Sequence, residues 1–326
     1  MDKVVVTQDL PWGVLDALSR ECELDVWSDE RPATHDELVD RLQGATGLLC
    51  LLTNRIDAAL VGQCPQLQFV SSMSVGVDHV DVAALTERGI PLGNTPGVLV
   101  ETTADLNLAL MLSAARRIPE ADQYVRNGNW KLPRAWYPDM FVGKDLSAST
   151  LGIIGLGEIG QAVARRAAGF GMTVMGWTRS GRQVAGVENV DLSILLEQAD
   201  FVSINVALTR DTRNLIDADA IARMKRGAIL VNTARGGIVD EQALADALRS
   251  GALSAAGVDV FAREPIESDN PLLRVPNVVL APHIGSATVR TRTRMAQLAV
   301  ENVRAALRGE PMPNCFNPEV YHHEHG

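Results

Sequence analysis

The stretch Leu151-Gly152-Ile153-Ile154-Gly155-Leu156-Gly157-Glu158-Ile159-Gly160 decides the fold of this chain. Its first four residues form an apolar, strand-like run, and the pattern G-x-G-x-x-G that follows opens an amphipathic helix. Glycines alone are weak evidence, but this strand-turn-helix context is that of a dinucleotide-binding turn. The first glycine permits the tight turn, the second lets a pyrophosphate approach the backbone, and the third lets helix and strand pack closely. The alternative is a turn whose glycines serve packing alone.

The residues that follow the next strand indicate which dinucleotide is bound. A protein that binds NAD places an Asp or Glu about twenty residues after the glycines to hold the ribose 2′-OH. This chain reads Gly176-Trp177-Thr178-Arg179-Ser180-Gly181-Arg182 there, so the acid is missing. A guanidinium pairs well with a 2′-phosphate. We therefore predict that Thr178, Arg179, Ser180 and Arg182 bind NADP(H) in preference to NAD(H). NAD(H) remains an alternative cofactor, and solvated loop arginines are the alternative interpretation.

Composition limits the class of protein. The chain has 326 residues, enough for about two domains, and a formal net charge of −10. This charge disfavours nucleic acid or an anionic membrane as a partner. No apolar run approaches the ~18–20 residues of a membrane span, and the first residues lack the features of a signal peptide. The four cysteines show no CxxC spacing, so we expect a cytoplasmic protein without a bound metal.

Two series of alternating strands and helices flank a long apolar helix predicted at Thr102–Arg117. The first series predicts strands at Val4–Thr7, Leu24–Trp27, Ala45–Leu52, Leu67–Ser71 and Ile90–Gly93, and helices at Pro11–Arg20, His35–Gln43, Asp57–Gln63 and Val82–Arg88. The second predicts strands at Leu151–Ile154, Thr173–Trp177, Phe201–Val206, Ala228–Asn232, Ala255–Val260 and Val278–Ala281, and helices at Ile159–Phe170, Leu192–Gln198, Ala218–Met224 and Glu241–Arg249. Such alternation is typical of parallel sheets with right-handed crossovers.

The fold class that we predict is α/β, with two doubly wound parallel-sheet domains and a cleft between them. A last helix, Thr288–Arg308, has no sheet after it, so we expect it to pack on the first domain. Residues 1–98 with 288–326 then form a flavodoxin-like substrate domain. Residues 99–287 form a Rossmann coenzyme domain that binds the dinucleotide.

Three residues follow predicted strands of the second series, where ligands bind in an open parallel sheet. Arg235 follows Ala228–Asn232, Glu264 follows Ala255–Val260, and His283 follows Val278–Ala281. A guanidinium can grip a carboxylate bidentately, and an imidazole oriented by a carboxylate can transfer a proton near neutral pH. Together with a nicotinamide cofactor, these groups fit the reduction of a 2-keto acid. Taken singly, a surface arginine, a helix-capping glutamate and a core histidine are equally good interpretations.

The sequence resembles the D-isomer-specific 2-hydroxyacid dehydrogenase family, and within it the glyoxylate/hydroxypyruvate reductases. The resemblance covers nearly the whole chain. Its matching stretches are residues 72–79 (SMSVGVDH), 94–98 (NTPGV), 102–105 (TTAD), 151–166 (LGIIGLGEIGQAVARR), 232–240 (NTARGGIVD), 283–288 (HIGSAT) and 307–313 (LRGEPMP). It implies that Arg235 binds the substrate carboxylate and carbonyl, that His283 is the acid/base, and that Glu264 is its partner.

The resemblance also implies further site residues and an assembly. Backbone N–H groups at Val75 and Gly76 would hold the substrate carboxylate, and Asp259 would face the nicotinamide carboxamide. A homodimer is implied, in which Trp136 approaches the partner subunit's substrate site. The tail Tyr321-His322-His323-Glu324-His325 departs from the family's pattern, and we expect it to be disordered. The residues implied to lie near the cofactor are Thr103, Val206, Thr233, Ala234 and Gly285.

The expected reaction is the NADPH-dependent reduction of a small 2-keto acid, glyoxylate or hydroxypyruvate. Within the same class, a 2-ketogluconate reductase is the alternative, because residues 314–318 (NCFNP) resemble members with that activity. An alternative of another class is a protein that binds the dinucleotide as a sensor and catalyses nothing.

Overall fold

A computed structural model describes residues 1–133 and 135–325. The chain divides into two compact units. The discontinuous unit consists of Met1–Leu99 and the segment from Ala287 onward. The central unit consists of Val100–Ser286.

The discontinuous unit is built on one parallel sheet. Its strands are β1 (Lys3–Val6), β2 (Glu23–Val26), β3 (Gly47–Cys50), β4 (Phe69–Ser72) and β5 (Leu92–Gly93), and its first helices are α1 (His35–Leu42), α2 (Ala58–Gln63) and α3 (Val82–Glu87). Within the described residues the strand order is β2-β1-β3-β4-β5. This is the flavodoxin-like order. Side-chain hydrogen bonds cap the N-termini of these helices, as at Thr34, which forms a capping box with Glu37 at the start of α1.

The central unit begins with α4 (Val100–Ala115) and α5 (Ile118–Arg126). Its strands are β6 (Thr150–Ile154), β7 (Thr173–Trp177), β8 (Glu188–Asn189), β9 (Phe201–Ile204), β10 (Ala228–Asn232), β11 (Leu253–Val258) and β12 (Val278–Leu280). Its other helices are α6 (Glu158–Gly169), α7 (Leu192–Gln198), α8 (Ala218–Arg223) and α9 (Glu241–Ser250). The strand order β12-β11-β10-β9-β6-β7-β8 is the Rossmann order extended by β12. The predicted α/β class with two parallel-sheet domains is confirmed.

The core of the central unit lies on both faces of this sheet. Helix α4 contributes Met111 to a cluster that also holds Leu151 of β6 and Val163 of α6. The helices α7 and α9 cover the other face, where Leu195 and Leu244 pack in a second cluster. Because both faces are covered, the central strands β6, β9 and β10 are apolar along most of their length, as parallel sheets require.

The helix α10 (Val289–Leu307) returns the chain to the discontinuous unit. Its buried face shares one cluster with the sheet, and Val300 packs with Val4 and Phe69 there. The Ser71 hydroxyl donates a hydrogen bond to the Ala299 carbonyl at 2.9 Å. Burial of this apolar face is what holds a C-terminal helix on an N-terminal sheet.

The structure differs from the sequence prediction in several short elements. The helix predicted at Pro11–Arg20 is wrong: the segment forms two 3-10 turns, Val14–Asp16 and Leu18–Arg20. The reason is that Trp12 and Gly13 both have positive φ, 67° and 65°, which a right-handed helix does not admit.

The ends of the central unit and of the chain also differ from the prediction. The sequence did not predict α5, which begins after Arg117 adopts a left-handed conformation with φ 54° and has a proline in its first turn. It did not predict the short strand β8. The C-terminal segment Pro318–His325 forms 3-10 turns where disorder was expected. The Met312 N–H donates a hydrogen bond to the Tyr321 hydroxyl at 2.9 Å and holds the start of this segment. In the part of the chain that the structure describes, every helix is too short or too polar to cross a bilayer.

Candidate active site

The turn between β6 and α6 has the shape that the glycine pattern predicts. Gly155 has φ +98°, and a Cβ there would lie 2.5 Å from the Asn205 carbonyl oxygen. A Cβ at Gly160 would lie 2.0 Å from the Gly155 carbonyl oxygen, so α6 packs directly on the turn. A Cβ at Gly157 would meet nothing within 4 Å. The first and third glycines of the turn therefore pack against protein, while the second faces open space, as the approach of a phosphate to the backbone requires.

A cavity of about 540 Å³, the dinucleotide cavity, lies against this turn. Its size is that of a small-molecule site. Its walls come from the turn after β6, from the segment after β7 and from the segment after β9. The lining residues are Gly155, Leu156, Gly157, Trp177, Thr178, Arg179, Ser180, Arg182, Asn205, Val206, Ala207, Thr209, Asp211, Thr212 and Leu215. The structure thus brings the predicted glycine turn, the predicted loop after β7 and Val206 to one site, while Glu158 and Ile159 form the first turn of α6 beside it.

The loop after β7 is held by its own side chains. The Thr178 and Ser180 hydroxyls lie 3.1 Å apart, and the Arg182 N–H donates a hydrogen bond to the Thr178 hydroxyl at 3.1 Å. The Arg179 guanidinium forms an ion pair at 2.6 Å with Asp211, which lies on the loop after β9. Sequence reasoning missed Asp211, because its separation from the strand end has no pattern that points back to the cavity.

Asn232, the last residue of β10, shapes the loop that carries Arg235. Its side-chain amide donates to the Arg235 carbonyl at 2.9 Å, and its side-chain oxygen accepts from the Ala234 N–H at 3.0 Å. A Cβ at the next residue, Gly236, would lie 1.8 Å from the Phe261 carbonyl carbon. Only glycine therefore lets the loop after β10 touch the loop after β11, which brings the Arg235 loop against the segment that leads to Glu264.

The buried carboxylate of Asp259 ties the loop after β11 to the loop after β12. It accepts hydrogen bonds from the N–H groups of Ile284 at 2.8 Å and Gly285 at 2.9 Å, while its carbonyl accepts from the His283 N–H at 2.8 Å. Asp259 is only 1% exposed. This burial raises its pKa above the ordinary value, against the opposing effect of the backbone hydrogen bonds. Two loops from neighbouring strands are thereby fixed to each other.

His283 and Glu264 form a hydrogen-bonded pair. His283 Nδ1 lies 2.6 Å from Glu264 Oε2, and Glu264 Oε1 accepts from the Phe261 N–H at 2.9 Å. Burial acts to raise the pKa of Glu264, but the hydrogen bond from His283, together with the positive charges of His283 and Arg235, outweighs it and holds that pKa below its usual value. The carboxylate is therefore ionised and fixes a proton on Nδ1, so that Nε2 is the ring nitrogen that Glu264 does not contact.

The backbone of His283 is also unusual. Its φ is +54°, in the left-handed region that few residues other than glycine adopt. Backbone outliers of this kind cluster at functional sites, where the surrounding structure maintains them. Here the surrounding structure is Asp259, which accepts hydrogen bonds from the backbone N–H groups of His283 and of the two residues that follow it.

A chain of buried polar groups lies under the ends of β9, β10 and β12. The Asn107 amide of α4 donates to the Thr233 hydroxyl at 3.0 Å and accepts from the Ser203 hydroxyl at 3.1 Å. The Thr103 hydroxyl donates to the Gly285 carbonyl at 3.1 Å. The sequence analysis missed Asn107 and Ser203, although a polar residue inside an apolar helix or strand is a signal that they carry.

Asn205 continues this chain into the dinucleotide cavity. Its amide donates to the Ser203 hydroxyl at 2.8 Å, and its side-chain oxygen is buried with no hydrogen-bond partner among the described residues. Buried polar atoms are almost always paired, so an orphan in a cavity wall is a place for a ligand donor. The open glycine turn and this oxygen together fit a nicotinamide dinucleotide.

The predicted residues of the discontinuous unit lie on the loop after β4. The Ser74 hydroxyl donates to the Gly76 carbonyl at 2.8 Å, and the Asn94 amide donates to the Val75 carbonyl at 3.0 Å. These contacts give the Val75–Gly76 loop a fixed conformation. Trp136, in the central unit, is 77% exposed and does not line the dinucleotide cavity. Among the side chains of residues 1–133 and 135–322, no group of His, Cys, Asp and Glu is arranged to hold a metal ion.

Comparison with known proteins agrees with this geometry. Residues 108–285 match the family model described as D-isomer specific 2-hydroxyacid dehydrogenase, NAD binding domain. A glyoxylate reductase of Korarchaeum cryptofilum is 48% identical over 322 residues, which cover 98% of this chain and 96% of that protein.

Two solved structures extend the comparison to the fold. The TT0316 protein of Thermus thermophilus has a TM-score of 0.91 at 46% identity and covers 96% of this chain and 99% of its own. An NADPH-dependent glyoxylate/hydroxypyruvate reductase of Sinorhizobium meliloti, solved with NADP and malonate, has a TM-score of 0.87 at 32% identity and covers 97% of each chain. The chain is therefore an oxidoreductase that belongs to the D-isomer specific 2-hydroxyacid dehydrogenase family.

Proposed function

We propose that this protein reduces small 2-keto acids with NADPH, converting glyoxylate to glycolate and hydroxypyruvate to D-glycerate. The observation that carries the proposal is the 2.6 Å contact between His283 Nδ1 and Glu264 on loops that also approach Arg235. The names of the related glyoxylate reductases support the substrate class.

The chain's own residues perform the acid/base and binding steps. The Arg235 guanidinium holds the substrate carboxylate and polarises the carbonyl. His283 Nε2 gives its proton to the carbonyl oxygen, and Glu264 stabilises the proton that stays on Nδ1. A bound nicotinamide dinucleotide supplies the hydride that the carbonyl carbon receives. Oxidation of the hydroxy acid uses the same groups in reverse, with His283 as the base.

The NADP(H) preference rests on the loop after β7. No acid stands at its start, and Arg179 lines the dinucleotide cavity there. A 2′-phosphate is the group that a guanidinium in this position suits. The relative from Sinorhizobium meliloti was solved with NADP, which agrees with the same preference.

From the family resemblance we propose the remaining roles. The backbone N–H groups of Val75 and Gly76 bind the substrate carboxylate. Thr103, Val206, Thr233, Ala234 and Gly285 lie near the cofactor, and Asp259 faces the nicotinamide carboxamide. The protein acts as a homodimer, with Trp136 at the contact between subunits. We also propose a cytoplasmic localisation, which the four free cysteine thiols support because the cytoplasm is reducing.

Steady-state kinetics with NADPH and with NADH tests the proposal across glyoxylate, hydroxypyruvate and 2-ketogluconate. We expect the highest kcat/KM with NADPH and one of the first two substrates. A highest value with 2-ketogluconate would instead identify a 2-ketogluconate reductase. If no 2-keto acid oxidises NADPH, the proposal is wrong and a dinucleotide sensor becomes the better interpretation.

Replacement of the histidine tests the mechanism. His283→Ala removes the proton donor, and general acid catalysis contributes ~10²–10⁴-fold. We expect kcat to fall by about that factor while the Kd of NADPH, measured by the fluorescence of the reduced cofactor, stays unchanged. A variant with wild-type turnover would remove His283 from the reaction.

A further inference from the structure

The mouth of the dinucleotide cavity contains an ion pair that the proposed reaction does not use. Arg179 Nη1 lies 2.6 Å from Asp211 Oδ2, and both side chains are largely exposed. Both residues also line the cavity that begins at the Gly155–Gly157 turn. We infer that Asp211 sets the balance between the two dinucleotides by weakening the binding of NADP(H) and supporting that of NAD(H). This inference rests on the proposed function, in which Arg179 binds the 2′-phosphate of NADP(H).

The backbone holds Asp211 in place on its loop. Thr212 follows it, and the Thr212 hydroxyl accepts from the Thr209 N–H at 2.7 Å and donates to the Ala207 carbonyl at 2.6 Å. The Arg213 N–H donates to the Thr209 carbonyl at 3.0 Å. The carboxylate therefore extends from a turn that is closed by hydrogen bonds.

Asp211 opposes a bound phosphate by its charge. A phosphate monoester carries a charge of about −1.5 to −2 at neutral pH. Arg179 keeps its positive charge at all working pH values, so the 2′-phosphate of NADPH is attracted to the same group that Asp211 already contacts. The two anions then share one guanidinium at the surface, where like charges a few ångströms apart repel each other.

Asp211 favours the ribose of NADH for the opposite reason. The Rossmann site for NAD uses a carboxylate after the second strand of the fold to accept the ribose 2′-OH. That place is taken by Thr178 in this chain. Among the described residues that line the cavity, Asp211 is the one acid. The loop after β9 thus supplies the carboxylate that the loop after β7 lacks.

The variant Asp211→Asn tests the inference because it removes the charge and keeps the shape. Charges about 6 Å apart at a protein surface change the affinity for a doubly charged group by roughly three- to tenfold at low salt. We expect the Kd of adenosine 2′,5′-bisphosphate, measured by calorimetry, to fall by that factor, with no fall in the Kd of 5′-AMP. The NADPH/NADH ratio of kcat/KM rises at least threefold, and the gain shrinks at high salt.

Two further variants complete the experiment, one as a control and one as a test of the proposed cofactor preference. Asp219→Asn removes the same charge from an exposed residue of α8 that does not line the cavity, and we expect it to leave both Kd values unchanged. Arg179→Ala tests the proposed preference itself, because it removes the phosphate partner and lowers NADPH affinity alone.

The outcomes separate the two ideas. If Arg179→Ala abolishes the preference for NADPH and Asp211→Asn leaves it within twofold, the inference is overturned and the proposed function stands. If the wild type does not prefer NADPH, the cofactor part of the proposed function fails. In that case a raised ratio in Asp211→Asn still supports the inference, and an unchanged ratio overturns it.

Discussion

Gly236→Ala tests whether the contact between the loops after β10 and β11 aligns the proposed catalytic residues Arg235, Glu264 and His283. The added Cβ would lie 1.8 Å from the Phe261 carbonyl carbon and 2.2 Å from the Ala262 nitrogen. Carbon atoms normally stay about 3.5 Å apart, so the loops must separate by roughly 1.5 Å. A displacement of about 1 Å can cost ~10²-fold in rate, and overpacking costs about 1–3 kcal/mol of stability. We therefore expect kcat/KM to fall by at least ~10²-fold.

The assay is steady-state reduction of glyoxylate, combined with thermal unfolding. For a unit of this size, 1–3 kcal/mol corresponds to a Tm lowered by roughly 2–12 °C. Gly237→Ala is the matched control, since its Cβ would come no closer than 3.4 Å to the Arg213 and Leu208 side chains. The Kd of NADPH shows that the dinucleotide turn is intact in both variants. Equal activity in the two variants would refute the alignment argument.

Two other predictions concern the dinucleotide turn and the carboxylate. Gly157→Ala adds a methyl group in the open space that a phosphate would occupy, so we expect NADPH affinity to fall roughly tenfold at unchanged Tm. Gly160→Ala places a Cβ 2.0 Å from the Gly155 carbonyl oxygen, so we expect it to lower both the NADPH affinity and the Tm. Equal NADPH affinity in Gly157→Ala and the wild type would contradict this. The Glu264 pKa is lowered from 4.5 on folding, so its stabilisation is complete above about pH 4.5 and is lost as the pH falls through the folded pKa. Urea unfolding should therefore show the wild type losing its advantage over Glu264→Gln below that pH, and a constant difference from pH 7 to 3 would rule the linkage out.

Periodicity and turn chemistry in the sequence predicted the architecture well. The run Leu151–Ile154 followed by Gly155–Gly160 predicted a strand, a turn and a helix, and the structure confirms the strand as β6 and the helix as α6. Local signals of this kind succeed because the hydrogen bonds and glycine conformations involved lie within a few residues of each other. The segment Pro11–Arg20 shows the limit, since its helical spacing says nothing of the positive φ at Trp12.

The predicted site also has a part that the sequence shows and a part that only the structure shows. The positions of Arg235, Glu264 and His283 after strands follow from the sequence, because ligands bind at the carboxyl ends of parallel strands. The contacts that define their chemistry do not follow from it. The 2.6 Å contact of His283 with Glu264 needs the loops after β11 and β12 to be tied by buried Asp259.

What the amino-acid sequence determined by itself is therefore the order of most strands and helices, the glycine-rich turn after β6 and the positions of the proposed catalytic residues after strands. Only the tertiary structure decided which side chains meet. It placed Asp211 beside Arg179 from 32 residues away, and it linked Asn107 of α4 to Ser203 of β9. Such pairs depend on the packing of whole elements, which brings together residues whose separation along the chain carries no regular pattern.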